Sequence, residues 1–152
     1  LYLDAGIYSN ALDVLERHLK LDPNNTSALV NKGVVCIRLK YYKTAVTSLS
    51  RAITLQPTNY VAVFNRAVAN LQAGNNDDAE RDYKILEEAL PQAPQANFGL
   101  CQVYFGLGEI AEKKKDNATA IRYWEMYLSN APPDSAEGKL LATRLNELKS
   151  QR

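Results

Sequence analysis

The residues that could carry out chemistry are few and lie far apart in the chain. His18 is the single histidine, and no nucleophile or orienting carboxylate near it forms a hydrolase pattern. Cys36 and Cys101 are not in a CxxC or other metal-binding spacing. The paired acids Asp77-Asp78 and Glu87-Glu88 fall at a predicted helix start and on a predicted exposed helix face. We therefore expect no catalysis, no metal and no cofactor, with both thiols buried and His18 in a buried or packing role.

Phosphate-binding and nucleic-acid-binding signatures are also missing. Neither GxxxxGK[ST] nor GxGxxG occurs, and Gly106-Leu107-Gly108 is predicted to lie within a helix with no strand before it. The 152 residues carry a formal net charge of +1, which gives no bulk electrostatic reason to bind nucleic acid or an anionic membrane. We expect neither nucleic acid nor a small-molecule substrate as a ligand.

The start of the chain and its apolar runs bear on its location in the cell. No apolar run approaches the roughly 20 residues needed to cross a bilayer. The first residues lack the basic and long apolar regions of a signal peptide. Because the cysteine spacing indicates no disulfide framework, the sequence weakly favours a reducing, cytoplasmic compartment.

Internal repetition is the strongest signal in the sequence. Five series of residues recur with one shared repeat step, in which the residue number rises by 34 between the first units and by 41 before the last unit. The series are Pro23, Pro57, Pro91 and Pro132; Ala11, Ala45, Ala79 and Ala120; Leu15, Leu49, Tyr83 and Trp124; Gly33, Ala67 and Gly108; and Leu29, Val63 and Tyr104.

The residue types in these series predict hairpins of two helices. Gly33 precedes Ala45 by a fixed spacing that the later units repeat, and small side chains at two such points let the helices of a hairpin approach closely. Bulky apolar residues four positions away, such as Leu29 and Leu49, share a helix face with the small residues. Each proline follows a second helix, where it prevents the helix from continuing.

The period also predicts where the helices begin and end. Leu1 to Asp4 read as the end of a first helix whose beginning is absent, so either the chain is cut from a longer protein or its first hairpin is incomplete. Ala5-Gly6 read as the turn that follows. The seven extra residues of the last unit make about two helical turns, so the helix near Pro94 is predicted to be longer than its neighbours. A capping box of Asp134 and Glu137 is predicted to start a final helix, with Leu140 among the residues that cover the preceding hairpin. First helices are predicted over 26–39, 60–73 and 94–114, second helices over 8–21, 42–55, 76–90 and 117–130, and the final helix over 135–150.

The repeat step with its small, aromatic and proline series resembles the tetratricopeptide repeat over nearly the whole chain. This resemblance implies one all-α domain, a right-handed α-solenoid of antiparallel helical hairpins with a C-terminal capping helix. The sequence departs from the family pattern late in the second helices. The consensus small residue is Ala52 in one unit but His18, Leu86 and Tyr127 in the others. The implied units are an incomplete repeat 1–25, repeat 26–59, repeat 60–93, extended repeat 94–134 and capping helix 135–150.

The resemblance further implies that the first helix of each hairpin lines a concave groove that binds a peptide or a partner helix. Asn31 and Asn65 are one repeat step apart, and their amides could donate to and accept from a peptide backbone. The alternative is that both are ordinary polar residues or hydrogen-bond locally. The groove positions given by helical phase are Val30, Asn31, Val34 and Arg38, then Phe64, Asn65, Val68 and Gln72, and in the last unit Gln102, Phe105, Glu109 and Lys113.

Two kinds of function follow from this groove and from the incomplete first repeat. One subgroup of the family binds chaperone tails with a lysine–asparagine–lysine–arginine clamp, which is unsupported here because Val30 and Val34 stand where lysine and asparagine would be needed. Valine and phenylalanine in the groove favour a partner with apolar side chains or the apolar face of a helix. We therefore expect a non-enzymatic scaffold for protein–protein interaction. The alternative is a structural spacer or self-association module within a larger multidomain protein, in which the apolar surface of the incomplete first repeat could form a homo-oligomer.

Overall fold

A computed structural model describes residues 2–92, 99–130 and 135–150, and within these ranges every regular element is helical. The chain divides into two compact units, residues 1–82 and 83–152, and the division falls within one helix. A single 3-10 turn covers Leu90–Gln92. The α-helices are α1 (Tyr2–Leu21), α2 (Thr26–Arg38), α3 (Tyr42–Leu55), α4 (Tyr60–Gln72), α5 (Asn76–Ala89), α6 (Leu100–Lys113), α7 (Asn117–Asn130) and α8 (Ala136–Ser150).

Helices α2, α3, α4, α5 and α7 begin at the residues that the sequence predicts. Local caps explain much of this agreement, because side chains satisfy the first free backbone N–H groups. Asn25 Oδ1 accepts a hydrogen bond from the Ala28 N–H at 2.9 Å, and Asn59 repeats this bond to Ala62 at 3.1 Å. Asp116 Oδ1 accepts from Thr119 at 3.1 Å before α7.

The core of the first unit forms where the predicted small and bulky residues meet. Ala45 and Leu49 on α3 are fully buried. A Cβ atom added to Gly33 on α2 would lie 2.5 Å from Leu49 Cγ, so only glycine allows this close contact between the two helices. Leu12 and Leu19 of α1 pack against the same core cluster.

The core of the second unit uses the same arrangement with aromatic residues. Gly106 and Gly108 on α6 face Tyr83 and Trp124, which occupy the space that an added Cβ would need. The rings of Tyr104 and Tyr123 stack at a centroid distance of 6.2 Å. The predicted close approach at the small-residue series is therefore confirmed at Gly33 and Gly108.

The turns inside the hairpins reveal a sixth periodic series. Lys40, Gly74 and Lys115 have φ values of 62°, 84° and 61°, in the left-handed region. The residue directly after each of these three donates its backbone N–H to the carbonyl oxygen five residues earlier, as Tyr41 does to Cys36 at 2.8 Å. This is the Schellman arrangement that ends a helix.

The predicted turn at Ala5-Gly6 is wrong, because α1 runs through both residues without a break. Gly6 lies one repeat step before Lys40 and so belongs to the turn series by position. Within the described residues, nothing lies within 4 Å of where a Gly6 Cβ would be. Without a packed neighbour to stabilise a turn there, the helix keeps its internal hydrogen bonds.

The predicted lengthening of the helix near Pro94 by about two turns is also wrong. Helix α6 has 14 residues, only one more than α2 or α4. Gly99 has extended backbone angles, and its N–H donates to Gln102 Oε1 at 3.0 Å, which sets the start of α6 at Leu100. The extra residues therefore precede Gly99. Pro94 lies outside the described residues.

Helix α8 begins on a different cap from the predicted one. Ser135 Oγ accepts a hydrogen bond from the Gly138 N–H at 3.0 Å. The predicted cap Asp134 lies outside the described residues. Leu141, Leu145 and Leu148 are buried, but Leu140 is 72 % exposed, so its predicted packing role is wrong.

Candidate functional site

Helix α2 presents a mixed polar and apolar stripe. Asn31 and Arg38 are exposed and Val34 is half-buried between them, at spacings that place all three on one side of the helix. Val30 is instead buried in the core cluster of the first unit, with Leu29 and Leu49 among its other members. Burial leaves Val30 almost no surface for a ligand.

Helix α4 repeats this stripe at equivalent positions and packs against α2. Phe64, Asn65 and Val68 are half-buried and Gln72 is exposed. The Asn65 side-chain nitrogen donates to the Val61 carbonyl at 2.8 Å, so one of its hydrogens is used within the helix. Its second hydrogen and its oxygen can still take part in other bonds.

Helix α6 in the second unit carries the remaining predicted positions. Phe105 is exposed, and its ring centroid lies 6.0 Å from that of Tyr127 in an edge-on arrangement. Glu109 forms an ion pair with Lys113 at 3.1 Å. The Gln102 side chain accepts the hydrogen bond from the Gly99 N–H at the start of α6.

An ion pair between half-buried Arg66 and buried Asp82, which the sequence did not indicate, fixes α4 in place. Arg66 Nη2 and Nε contact the two Asp82 carboxylate oxygens at 2.7 and 2.8 Å, and Nη1 donates to Ser50 Oγ at 3.1 Å. The hydrogen bond with Asp82 raises the pKa of Arg66. The guanidinium therefore stays charged and joins α4 to α3 and α5.

A second ion pair uses the basic residue at the equivalent position one unit earlier, but its acid lies on the preceding helix, whereas Asp82 lies on the following one. Lys32 lies one repeat step before Arg66, and its Nζ atom is 2.9 Å from Glu16 Oε1 on α1. The recurrence of a basic residue at these two positions is the sequence signal that could have indicated both contacts.

The chemically reactive residues do not assemble into a site. His18 is exposed rather than buried, and Cys101, which was predicted to be buried, is only half-buried. Cys36 is fully buried as predicted, and burial raises the pKa of its thiol. Across residues 2–92, 99–130 and 135–150, no group of three His, Cys, Asp or Glu side chains could hold a metal ion. None of the described helices has the length and apolar character needed to cross a membrane.

Comparison with protein families agrees with these hairpins. Tetratricopeptide repeat models match residues 26–59 and 64–135, which together make up more than two thirds of the chain. The chain belongs to the tetratricopeptide repeat family. A search of curated protein sequences gives no match.

Solved structures with the same fold include three tetratricopeptide proteins. MamA residues 41-end from Desulfovibrio magneticus RS-1 matches with a TM-score of 0.75 and 18 % identity, covering 99 % of this chain and 90 % of that one. The Arabidopsis OM64 TPR domain matches with a TM-score of 0.67 and 22 % identity, covering 80 % of this chain and 94 % of that one. The first TPR of Spaghetti (RPAP3), bound to the HSP90 peptide SRMEEVD, matches with a TM-score of 0.62 and 23 % identity, covering 75 % of this chain and 85 % of that one. At these identities the matches establish the all-α tetratricopeptide fold.

Proposed function

We propose that this chain is a protein–protein interaction module whose ligand binds along α2 and α4. The observation that carries the proposal is a pair of half-exposed stripes at equivalent positions on two contacting helices. Membership of the tetratricopeptide repeat family supports a role in protein interaction. The proposed binding surface, here the α2–α4 face, consists of Asn31, Val34, Arg38, Phe64, Asn65, Val68 and Gln72.

The chemistry of the α2–α4 face favours a ligand with apolar side chains. Val34 and Val68 stand at equivalent repeat positions and are only partly covered, so a ligand side chain there would remove further apolar surface from water. The amides of Asn31 and Asn65 and the exposed Arg38 can hydrogen-bond to a ligand backbone. We therefore propose an extended peptide or a helix with apolar anchors as the ligand.

An acidic chaperone tail fits this surface less well. The RPAP3 domain binds such a peptide, SRMEEVD. In this chain, however, Val30 and Val34 stand where the clamp pattern needs lysine and asparagine, and Val30 is buried. Among the residues of the α2–α4 face, Arg38 alone is charged, so it would have to neutralise all the carboxylates of such a peptide.

A peptide-display selection followed by affinity measurement tests the proposal. Peptides are selected against the full chain and their dissociation constants are measured for wild type and Asn65→Ala. Removal of hydrogen bonds to the ligand, each contributing about 0.5–1.5 kcal/mol, should weaken binding roughly three- to tenfold while thermal unfolding stays nearly unchanged.

Asn130→Ala provides a matched control for this experiment. Asn130 on α7 makes the same bond to its own helix, from its side-chain nitrogen to the Met126 carbonyl at 2.8 Å, but it lies outside the α2–α4 face. It should leave affinity unchanged. Equal effects of the two substitutions, or no effect of Asn65→Ala on any selected peptide, would remove Asn65 from the proposed site.

A further inference from the structure

The stretch that forms α2, α3 and α4 carries no acidic residue. None of the 17 Asp and Glu residues of the chain lies within residues 23–76, whereas six Lys and Arg residues do. Two of these six are the partners of Glu16 and Asp82 in the ion pairs described above. A third, Arg51, donates through Nη2 to the uncharged Asn24 side chain at 2.8 Å. The other three have no counter-charge within the stretch.

These three basic residues lie together at the turn between α2 and α3. Arg38, Lys40 and Lys43 are exposed, and among the residues that the structure describes none of the three has an acidic partner. The hydrogen bond from Tyr41 to Cys36 holds the turn, so the three charges stay close together. The C-terminus of α2 and the N-terminus of α3 meet here, so their opposite dipoles largely cancel and the side chains set the local potential. We call Arg38, Lys40 and Lys43 the basic turn.

Lys40 holds a backbone conformation that favours glycine. Its φ of 62° lies in the left-handed region, and the equivalent position one repeat step later is Gly74, with a φ of 84°. A Cβ atom makes this conformation unfavourable, so Lys40→Gly should fold at least as well as the wild type. Lys40 therefore adds a positive charge where the backbone would favour a different residue. A strained residue that the fold does not need is a reason to look for a function.

The equivalent turn of the second unit is balanced by acids. Lys115 has nearly the same φ, 61°, but Asp116 follows it directly. Lys113 forms its ion pair with Glu109. A lysine in the left-handed region therefore does not by itself create a basic surface. The basic turn differs because the sequence around it supplies no acid.

We infer that the ligand of the α2–α4 face carries one or two acidic side chains beside its apolar anchor, and that these bind to the basic turn. The inference rests on the proposed function, because Arg38 belongs to both surfaces. Val34 and Arg38 are four residues apart, which is about 6 Å along the helix. An extended peptide covers that distance in about two residues, and the long Lys40 and Lys43 side chains extend the range to about four. The acidic residue should therefore lie about two to four residues from the one that contacts Val34.

A protein segment fits this surface better than other anions do. Clusters of about four to eight Lys and Arg residues bind anionic membranes, and nucleic acids are bound through many phosphate contacts. The basic turn supplies three charges, next to a face with half-buried Val34, Phe64 and Val68 side chains for an apolar anchor. The ligand inferred here differs from a chaperone tail, because its acidic side chains meet the turn and need no lysine or asparagine in place of Val30 and Val34.

Display-selected peptides whose binding Asn65→Ala weakens serve as probes, because that response places them on the α2–α4 face. Lys40→Gly should weaken their binding to the full chain about two- to fivefold at low salt. The loss should shrink at about 0.5 M NaCl, since salt screens exposed charges. The same substitution should not lower the urea midpoint of unfolding. A loss of affinity without a loss of stability cannot come from misfolding.

Lys115→Gly is the matched control. It removes one positive charge at nearly the same φ, but outside the α2–α4 face and the basic turn, so it should leave affinity unchanged. The triple variant Arg38→Gln, Lys40→Gly and Lys43→Gln should weaken binding at least about tenfold. Peptides in which Asn and Gln replace Asp and Glu should bind wild type more weakly but should bind the triple variant as the parent peptides do.

Three results would overturn the inference and leave the α2–α4 face intact. The first is a set of Asn65-dependent peptides without acidic residues near the apolar anchor. The second is an affinity that Lys40→Gly and the triple variant leave unchanged. The third is equal weakening by Lys40→Gly and Lys115→Gly, which would indicate a general effect of net charge.

Other results would change the occupant or remove the face itself. Binding of phosphatidylserine vesicles or of duplex DNA that the triple variant abolishes, with peptide affinity unchanged, would make a membrane or nucleic acid the occupant and overturn the inference. If no selected peptide responds to Asn65→Ala, the α2–α4 face loses its support and the inference fails with it.

Discussion

The Arg66–Asp82 pair is the contact of the first unit whose removal has the clearest expected effect. The Asp82 side chain is only 4 % exposed, and that of Arg66 is 24 % exposed. Arg66 forms a two-pronged contact to the carboxylate and a third bond to Ser50, so one guanidinium joins three helices. Arg66→Met keeps most of the side-chain volume and removes the charge.

The magnitude follows from what remains after the substitution. Asp82 would stay buried without its guanidinium, and removal of one partner from a buried pair costs about 3–5 kcal/mol of unfolding free energy. Because Arg66 is partly exposed and water can enter its place, we expect the lower end, about 3 kcal/mol. The double variant Arg66→Met with Asp82→Leu has no buried charge, so its unfolding free energy should lie within about 1 kcal/mol of wild type.

Urea unfolding followed by circular dichroism measures these differences, and the double variant completes a double-mutant cycle. Lys32→Met is the matched control, since Lys32 occupies the equivalent position but its partner Glu16 is 47 % exposed. An exposed pair of this kind contributes at most about 1 kcal/mol. A loss below about 1 kcal/mol for Arg66→Met, or additive losses in the double variant, would refute the reasoning.

Three further predictions concern glycines and thiols. Gly6→Ala should raise the unfolding free energy by about 0.5–1 kcal/mol in urea, because Gly6 lies in open space within a helix; a loss would indicate a turn at Gly6. Gly33→Val should lower the melting temperature, with a cost of at least about 1–3 kcal/mol from the clash with Leu49; an unchanged melting temperature would contradict the packing of α2 on α3. Iodoacetamide followed by mass spectrometry should label Cys101 well before Cys36, whose thiol is buried and has a raised pKa; equal labelling rates would contradict the burial of Cys36.

The sequence predicted the helices whose ends depend on local chemistry. Asn25 and Asn59 cap α2 and α4 through bonds to residues three positions on, and the Schellman turns need only neighbouring backbone. The predictions failed where packing partners decide the outcome. Gly6 has the position of a turn residue but no neighbour to hold it in a turn, and His18 is exposed although its counterparts are buried.

The candidate site was predictable as a helix face but not residue by residue. Helical phase and the repeat step identify the sides of α2 and α4 that carry Val34 and Val68. Phase alone could not show that Val30 belongs to the core, because burial depends on how closely α3 approaches. Nor could it show the bond from Asn65 to Val61, which depends on one side-chain rotamer.

The claim that a ligand binds along α2 and α4 is tested most directly by an NMR titration. The full chain, labelled with nitrogen-15, is titrated with a selected peptide, and the backbone amide shifts are followed residue by residue. The largest shifts should occur at Asn31, Val34, Asn65 and Val68, with little change at Thr47, an exposed residue of α3. Shifts concentrated on α3, or on α1, would contradict the proposed binding surface.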